Sequence, residues 1–224
     1  MKKPKIFIAC DTTNIKKINR IFKETEKTKK SFGYKFGLEF LNSKNGRKFI
    51  LKHKNKITFG DYKLADIPNT CASTIEAVKD LKFNYITIHI SAGLEALKAA
   101  KKVSGTTKLI GVTILTSLNN KTLKEIGFQK DLKKLVLHQA KLAAKANLDA
   151  IVCSPHEIKT VKKVFNKEII TPGVRFASDN ANDQKRVMSP KNAFLNGATS
   201  IVMGRSIING NLKKNIQKLI KELS

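Results

Sequence analysis

Long apolar runs are missing. No stretch of the 224-residue chain approaches the roughly 18 consecutive apolar residues of a membrane span, so no membrane partner is expected. The N-terminal apolar segment, residues 6–10, stops at Asp11 and is too short for a secretory signal; a cytoplasmic location is the expectation. Cysteine is scarce: Cys10, Cys71 and Cys153 are odd in number and far apart, which gives neither a disulfide framework nor a CxxC metal pattern. The four histidines, His53, His89, His138 and His156, show no HxxxH or HExxH spacing, and no metal site is expected. Acidic residues number 17 against 44 Lys and Arg, a net charge of +27. That balance raises a nucleic-acid reading, but arginine is scarce as well. Only Arg20, Arg47, Arg175, Arg186 and Arg205 are present, whereas a nucleic-acid surface draws on arginine for bidentate contacts. The lysines are spread through most predicted helices without one basic tail, so no nucleic-acid partner is expected.

What is present is a regular series of short apolar runs. Strands are predicted at residues 5–9, 32–36, 57–59, 85–90, 108–115, 150–153, 169–171 and 200–203, each followed by a helical stretch. Those helices are expected over residues 14–28, 39–54, 70–78, 94–103, 121–126, 132–146, from Ser154-Pro155, over 189–195 and over 212–223. The second of them carries Asn45-Gly46, where a bend or fray is expected. Eight strictly alternating βα units imply a parallel sheet closed into a (β/α)8 TIM barrel, one α/β domain over residues 1–224. A doubly wound open sheet would show a Gly-rich first turn, and Cys10-Asp11-Thr12-Thr13 has none.

Barrel sites lie at the C-terminal ends of the strands. The sequence puts there Asp11 from the first strand, Lys35 from the second, and Asp61 and Lys63 from the third, with Asp66 just beyond. Period-two alternation predicts Asp61 and Lys63 on one face. His89 follows the fourth strand, Thr116 and Ser117 the fifth, Arg175 the seventh, and Gly204-Arg205 the eighth. Like charges this close repel by several kcal/mol, roughly 4 at 4 Å, so an alternating Lys35–Asp61–Lys63–Asp66 array is the arrangement expected to hold them together. The loops after strands seven and eight suit an anion: Gly204 admits close backbone approach and Arg205 offers a guanidinium fork. The polar stretch 176–188, with Gln184, has the length and composition of a lid.

These residues carry a resemblance. Asp61-x-Lys63-x-x-Asp66-Ile67-Pro68-Asn69-Thr70 is similar to the signature of the orotidine 5′-monophosphate decarboxylase family. The likeness extends through Ile8-Ala9-Cys10-Asp11, Tyr34-Lys35-Phe36-Gly37, His89-Ile90-Ser91, residues 112–117, Thr171-Pro172-Gly173-Val174-Arg175, Asp183-Gln184-x-Arg186 and Met203-Gly204-Arg205. Cys10 and Phe36 are mild departures from its pattern. The resemblance implies cofactor-free decarboxylation of orotidine 5′-monophosphate to UMP. Lys63 would protonate C6, Asp61 would sit beside the substrate carboxylate, and Lys35 and Asp11 would meet the ribose. Thr116 or Ser117 would read the pyrimidine edge, and Arg175, Gln184, Gly204 and Arg205 would bind the phosphate. It also implies a homodimer in which Asp66, Ile67 and Thr70 serve the neighbouring subunit's site.

Two other readings compete. The Asp-x-Lys-x-x-Asp core is shared with sugar-phosphate relatives, which points to a keto-sugar-phosphate decarboxylase or aldolase using Mg²⁺. The net charge of +27 points to a nucleic-acid-binding protein.

Overall fold

A computed structural model describes residues 6–179 and 188–223. Eight parallel strands close on themselves in chain order: β1 (Ile6–Ala9), β2 (Phe32–Phe36), β3 (Thr58–Leu64), β4 (Tyr85–His89), β5 (Lys108–Val112), β6 (Ala150–Val152), β7 (Glu168–Thr171) and β8 (Ser200–Met203). β8 returns to β1 with Ile6 opposite Ile201. Around them run α1 (Ile15–Glu26), α2 (Leu38–Leu41), α3 (Gly46–Lys52), α4 (Pro68–Ala77), α5 (Leu94–Val103), α6 (Asn120–Glu125), α7 (Leu132–Lys145), α8 (Ile158–Val161), α9 (Pro190–Leu195), α10 (Arg205–Ile208) and α11 (Leu212–Glu222). No helix of the described residues is long and apolar enough to cross a membrane.

Alternation along the strands sorts the side chains into two cores. Ile6, Ile8 and Cys10 of the first unit, and Phe32, Tyr34 and Phe36 of the second, pack outward against the helices. The opposite set, Phe7, Ala9, Phe59, Tyr85, Ile110, Ala150, Ile170 and Val202, fills the barrel. Phe7 meets Phe59 and Tyr85 edge-on, each at 5.3 Å between ring centroids. The floor is closed by Glu168, which accepts from Lys108 Nζ and from the Tyr85 hydroxyl. Each inward row reaches the mouth with a different residue: Phe7-Ala9 leads to Asp11, Ile57-Phe59 to Asp61, Tyr85-Thr87 to His89.

The helices follow the same logic. α1 starts at Asn14, whose side chain accepts from Lys17 N, and buries Ile18, Ile21 and Phe22. α11 buries Leu212, Ile216 and Leu219 and leaves Lys213, Lys214, Lys218 and Lys221 exposed.

Five elements differ from expectation. The single helix expected over 39–54 is two, α2 and α3, separated by a turn in which Gly46 N donates to Ser43 O. A Cβ at Gly46 would lie 2.2 Å from Phe40 O, so the chain folds back too tightly there for continuous helix. β3 runs on to Leu64, carrying Asp61 and Lys63 within it. β5 stops at Val112 rather than 115. Ser154-Pro155 opens a 3₁₀ turn and the four-residue α8 rather than a full helix, and α10 is an additional short helix directly after β8.

Candidate active site

The charged residues of the first three strands meet at the mouth. Lys35 Nζ lies 2.9 Å from Asp61 Oδ2 and 3.2 Å from Asp11 Oδ1. Lys63 Nζ lies 2.7 Å from the same Asp61 Oδ2. One carboxylate oxygen thus takes two ammonium groups, and the side chains of Asp61 and Lys35 are 9% and 13% exposed. Burial alone would raise the Asp61 carboxyl; Lys35 and Lys63 outweigh it and hold it below its ordinary value of 3.8. Burial likewise works against the charge on Lys35, and Asp61 and Asp11 overcome it, raising Lys35 above 10.5. Asp61 and Lys35 are therefore both ionised at neutral pH. Asp11 also packs close to Gly37, where a Cβ would stand 2.9 Å from Asp11 Oδ1.

Asp61 and Lys63 meet, but not by simple alternation. Lys63 has φ of +49°, in the left-handed region. The β3–β4 ladder pairs Gly60 with Ile86 and then Leu64 with Ile88, so the register slips across Asp61, Tyr62 and Lys63. The buried Thr87 fills the gap: its Oγ1 accepts from Lys63 N at 2.8 Å and donates to Asp61 Oδ1 at 3.1 Å.

Above the array lies a cavity of about 430 Å³, within the range of small-molecule sites. One wall is charged, with Asp11, Lys35, Asp61 and Lys63. Val112, Ile114, Val152, Pro172 and Val202 make an apolar flank, and Thr116 also lines it. Ser117 is exposed and does not line it. Across the barrel, buried Arg175 enters the lining, followed by Gly204, exposed Arg205, Ser206 and Ile208. The chain beyond β7 is tied at its neck, with Arg175 N donating to Met188 O at 3.0 Å and Met188 N to Gly173 O at 3.3 Å. Gln184 and Arg186 lie outside the described residues. His89 is half-buried beside the array; burial, then the charge on Lys63, lowers its pKa below 6.5 despite Asp61.

The expected in-chain array is corrected in one member. Its fourth charge is Asp11; Asp66 is exposed, accepts from Ile67 N at 2.7 Å, and makes no ion pair among the described residues. Asp66 follows the end of β3, where Ile67 and Pro68 turn the chain into α4 and away from the cavity. Ile67 and Thr70 are exposed on that same turn and do not line the cavity either.

Sequence reasoning missed Thr87 and Ser206. Thr87 sits in an apolar run as an ordinary strand former; its signal is its place in the inward row between Tyr85 and His89. Ser206 follows the Gly204-Arg205 pair, and its Oγ is buried without a hydrogen-bond partner among the described residues. Among the described residues no three of His, Cys, Asp and Glu converge as a metal site.

Chemically, the site offers a fixed cation over an apolar floor, an ionised carboxylate held beside it, and two arginines across the opening. Such a site stabilises negative charge developing on a flat, apolar substrate portion while anchoring an anionic tail elsewhere. The family model described as Orotidine 5′-phosphate decarboxylase / HUMPS family matches residues 4–218. An orotidine 5′-phosphate decarboxylase of Wolbachia sp. subsp. Brugia malayi is 44% identical over 197 residues, covering 85% of this chain and 87% of that protein. One from Prochlorococcus marinus (strain MIT 9215) is 39% identical over 216 residues, covering 91% and 88%. The crystal structure of orotidine 5′-phosphate decarboxylase from Lactobacillus acidophilus superposes with a TM-score of 0.82 at 28% identity, over 99% of this chain and 100% of that one.

Proposed function

Because the chain belongs to the orotidine 5′-phosphate decarboxylase / HUMPS family, we propose that its barrel mouth converts orotidine 5′-monophosphate to UMP and CO₂ without a cofactor, Lys63 delivering the proton to C6. The observation that carries this reading is the single Asp61 oxygen shared by Lys35 and Lys63 at the edge of an apolar cavity.

The chemistry asks for what that arrangement offers. When the C6–carboxylate bond breaks, its electron pair stays on C6 as a poorly delocalised carbanion, and CO₂ leaves. A cation already fixed beside C6 lowers that charge without reorganising. Lys63 supplies it, gives a proton to C6, and recovers one from solvent. Asp61 keeps Lys63 aimed and stands next to the substrate carboxylate, so departure of CO₂ relieves a repulsion. Lys35 and Asp11 hold the ribose hydroxyls, and Thr116, with Ser117 at the rim, reads the pyrimidine edge. The phosphate does not react. Arg175, Gly204 and Arg205 bind it, and Ser206 adds a hydroxyl at the same corner; this remote binding energy supports the chemistry at C6. Gln184 is assigned to the phosphate by the resemblance alone.

We read residues 1–224 as one domain that works in the cytoplasm as a homodimer. Ile67 is 66% and Leu38 49% exposed, both beside the mouth. An apolar rim of this kind suits a partner surface, and it carries Asp66, which makes no ion pair among the described residues. Asp66, Ile67 and Thr70 then complete the neighbour's site.

Purified protein given orotidine 5′-monophosphate with EDTA present tests the reading. Steady release of CO₂ and UMP is expected. No turnover, together with chelator-sensitive activity on a keto-sugar phosphate, would assign the site to the sugar-phosphate branch.

A further inference from the structure

We propose that Thr87 is a positioning residue, whose hydroxyl holds the Lys63 backbone in its left-handed conformation and fixes the rotation of the Asp61 carboxylate. Three residues of β3, Asp61, Tyr62 and Lys63, face only Thr87 on β4 between the pairs Gly60–Ile86 and Leu64–Ile88. Regular ladder pairing is broken across that excess, and the Lys63 N–H needs another acceptor. Thr87 Oγ1 supplies it at 2.8 Å. An N–H can only donate, so the hydroxyl accepts there, and its one proton goes to Asp61 Oδ1 at 3.1 Å. Asp61 Oδ2 is thereby left for both ammonium groups, at 2.9 Å and 2.7 Å.

Thr87 is 0% exposed and its bond to Asp61 is buried, so its hydroxyl must find its partners within the protein. Lys63 has φ of +49°, a conformation that persists in a non-glycine residue only when its surroundings over-determine it. The hydroxyl is such a constraint, and it acts on the two charged residues at once. Residues that fix a reacting geometry matter steeply, because a displacement of about 1 Å can cost about 100-fold in rate. The Thr87 methyl is not part of the argument, which makes serine the conservative control and valine the shape-matched deletion.

The consequence for turnover rests on the decarboxylase reading; the hold on Lys63 does not. Wild type, Thr87→Val and Thr87→Ser are compared by amide hydrogen exchange at Lys63, followed by NMR, and by kcat and KM for orotidine 5′-monophosphate. In wild type the Lys63 amide is expected to be as protected as its β3 neighbours, although it lies outside the paired positions of the β3–β4 ladder. In Thr87→Val its exchange is expected to rise about tenfold or more, and kcat to fall about 10- to 100-fold with KM moving less than about threefold. Thr87→Ser should stay within about threefold of wild type in both. An unprotected Lys63 amide in wild type overturns the proposal even if Thr87→Val does not fold. So does a serine variant as damaged as the valine one, which would assign the effect to packing of the methyl. A wild-type protein with no orotidylate turnover refutes the decarboxylase reading, while the exchange comparison still decides what Thr87 holds.

Discussion

At the scale of single residues, the site is an exercise in keeping charges ionised while burying them. Bringing such groups out of water costs several kcal/mol per ion unless each has its partners, and Asp61 has three: Lys35, Lys63 and Thr87. The sign of each perturbation sets a pH dependence. Asp61 is lowered from 3.8, so its stabilising contribution is present above that value and is lost as pH falls through its lower folded value. Lys35 is raised from 10.5, so its contribution is full below that value and is lost as pH rises through its higher folded value. His89 is lowered from 6.5; the fold favours its neutral form and loses stability as the unfolded chain takes up protons below 6.5. The unfolding midpoint should therefore decline on acidification below 6.5, and His89→Asn should remove part of that slope. Equal slopes in thermal melts across pH would contradict the assignment. The charged residues were legible in the sequence because each interrupts an apolar run where a strand ends. Thr87 was not, since a β-branched residue inside Tyr-Ile-Thr-Ile-His looks like any strand former; only its inward position, fixed by barrel closure, reveals a hydroxyl among charges.

At the scale of elements, alternating apolar runs gave the eight strands because burial on both faces leaves a strong local pattern. What local pattern does not carry is where a strand stops or a helix breaks. β3 continues past its apolar residues through a bulge sustained by β4, a neighbour that periodicity does not describe. The split between α2 and α3 was half visible, in Asn45-Gly46, while the close approach of Gly46 to the Phe40 carbonyl, six residues back, shows only in the folded chain. Four-residue helices such as α10 have too few turns to show a period at all. Tight approach on the outer face of β5 yields a test that leaves the mouth untouched. A Cβ at Gly111 would lie 2.8 Å from both Ile90 Cγ1 and Leu148 Cδ1. Gly111→Ala should cost about 1 to 3 kcal/mol of stability by overpacking, measured by urea denaturation, with KM unchanged. A neutral effect would mean that Ile90 and Leu148 can move aside.

At the scale of the whole molecule, one ten-residue stretch faces two ways. Asp61 and Lys63 face their own barrel, whereas Asp66, Ile67 and Thr70 turn out at the start of α4. If those three serve a neighbour, inactive Lys63→Ala and Asp66→Ala chains should complement each other. In a hybrid dimer one of the two sites would have both residues intact, so equal mixing should restore about a quarter of wild-type turnover. No recovery after demonstrated subunit exchange would place Asp66's role within its own chain. The net charge of +27 is carried by lysines dispersed over the outer helix faces. In the proposed mechanism the decarboxylation turns on one ammonium group, that of Lys63. Wild type and Lys63→Ala, each supplied with orotidine 5′-monophosphate in D₂O with EDTA, test it most directly. Wild type should yield UMP bearing deuterium at C6, and the variant should be slower by about 10³-fold or more while melting as a folded protein. A folded Lys63→Ala protein that still turns over at a substantial fraction of the wild-type rate would contradict the account.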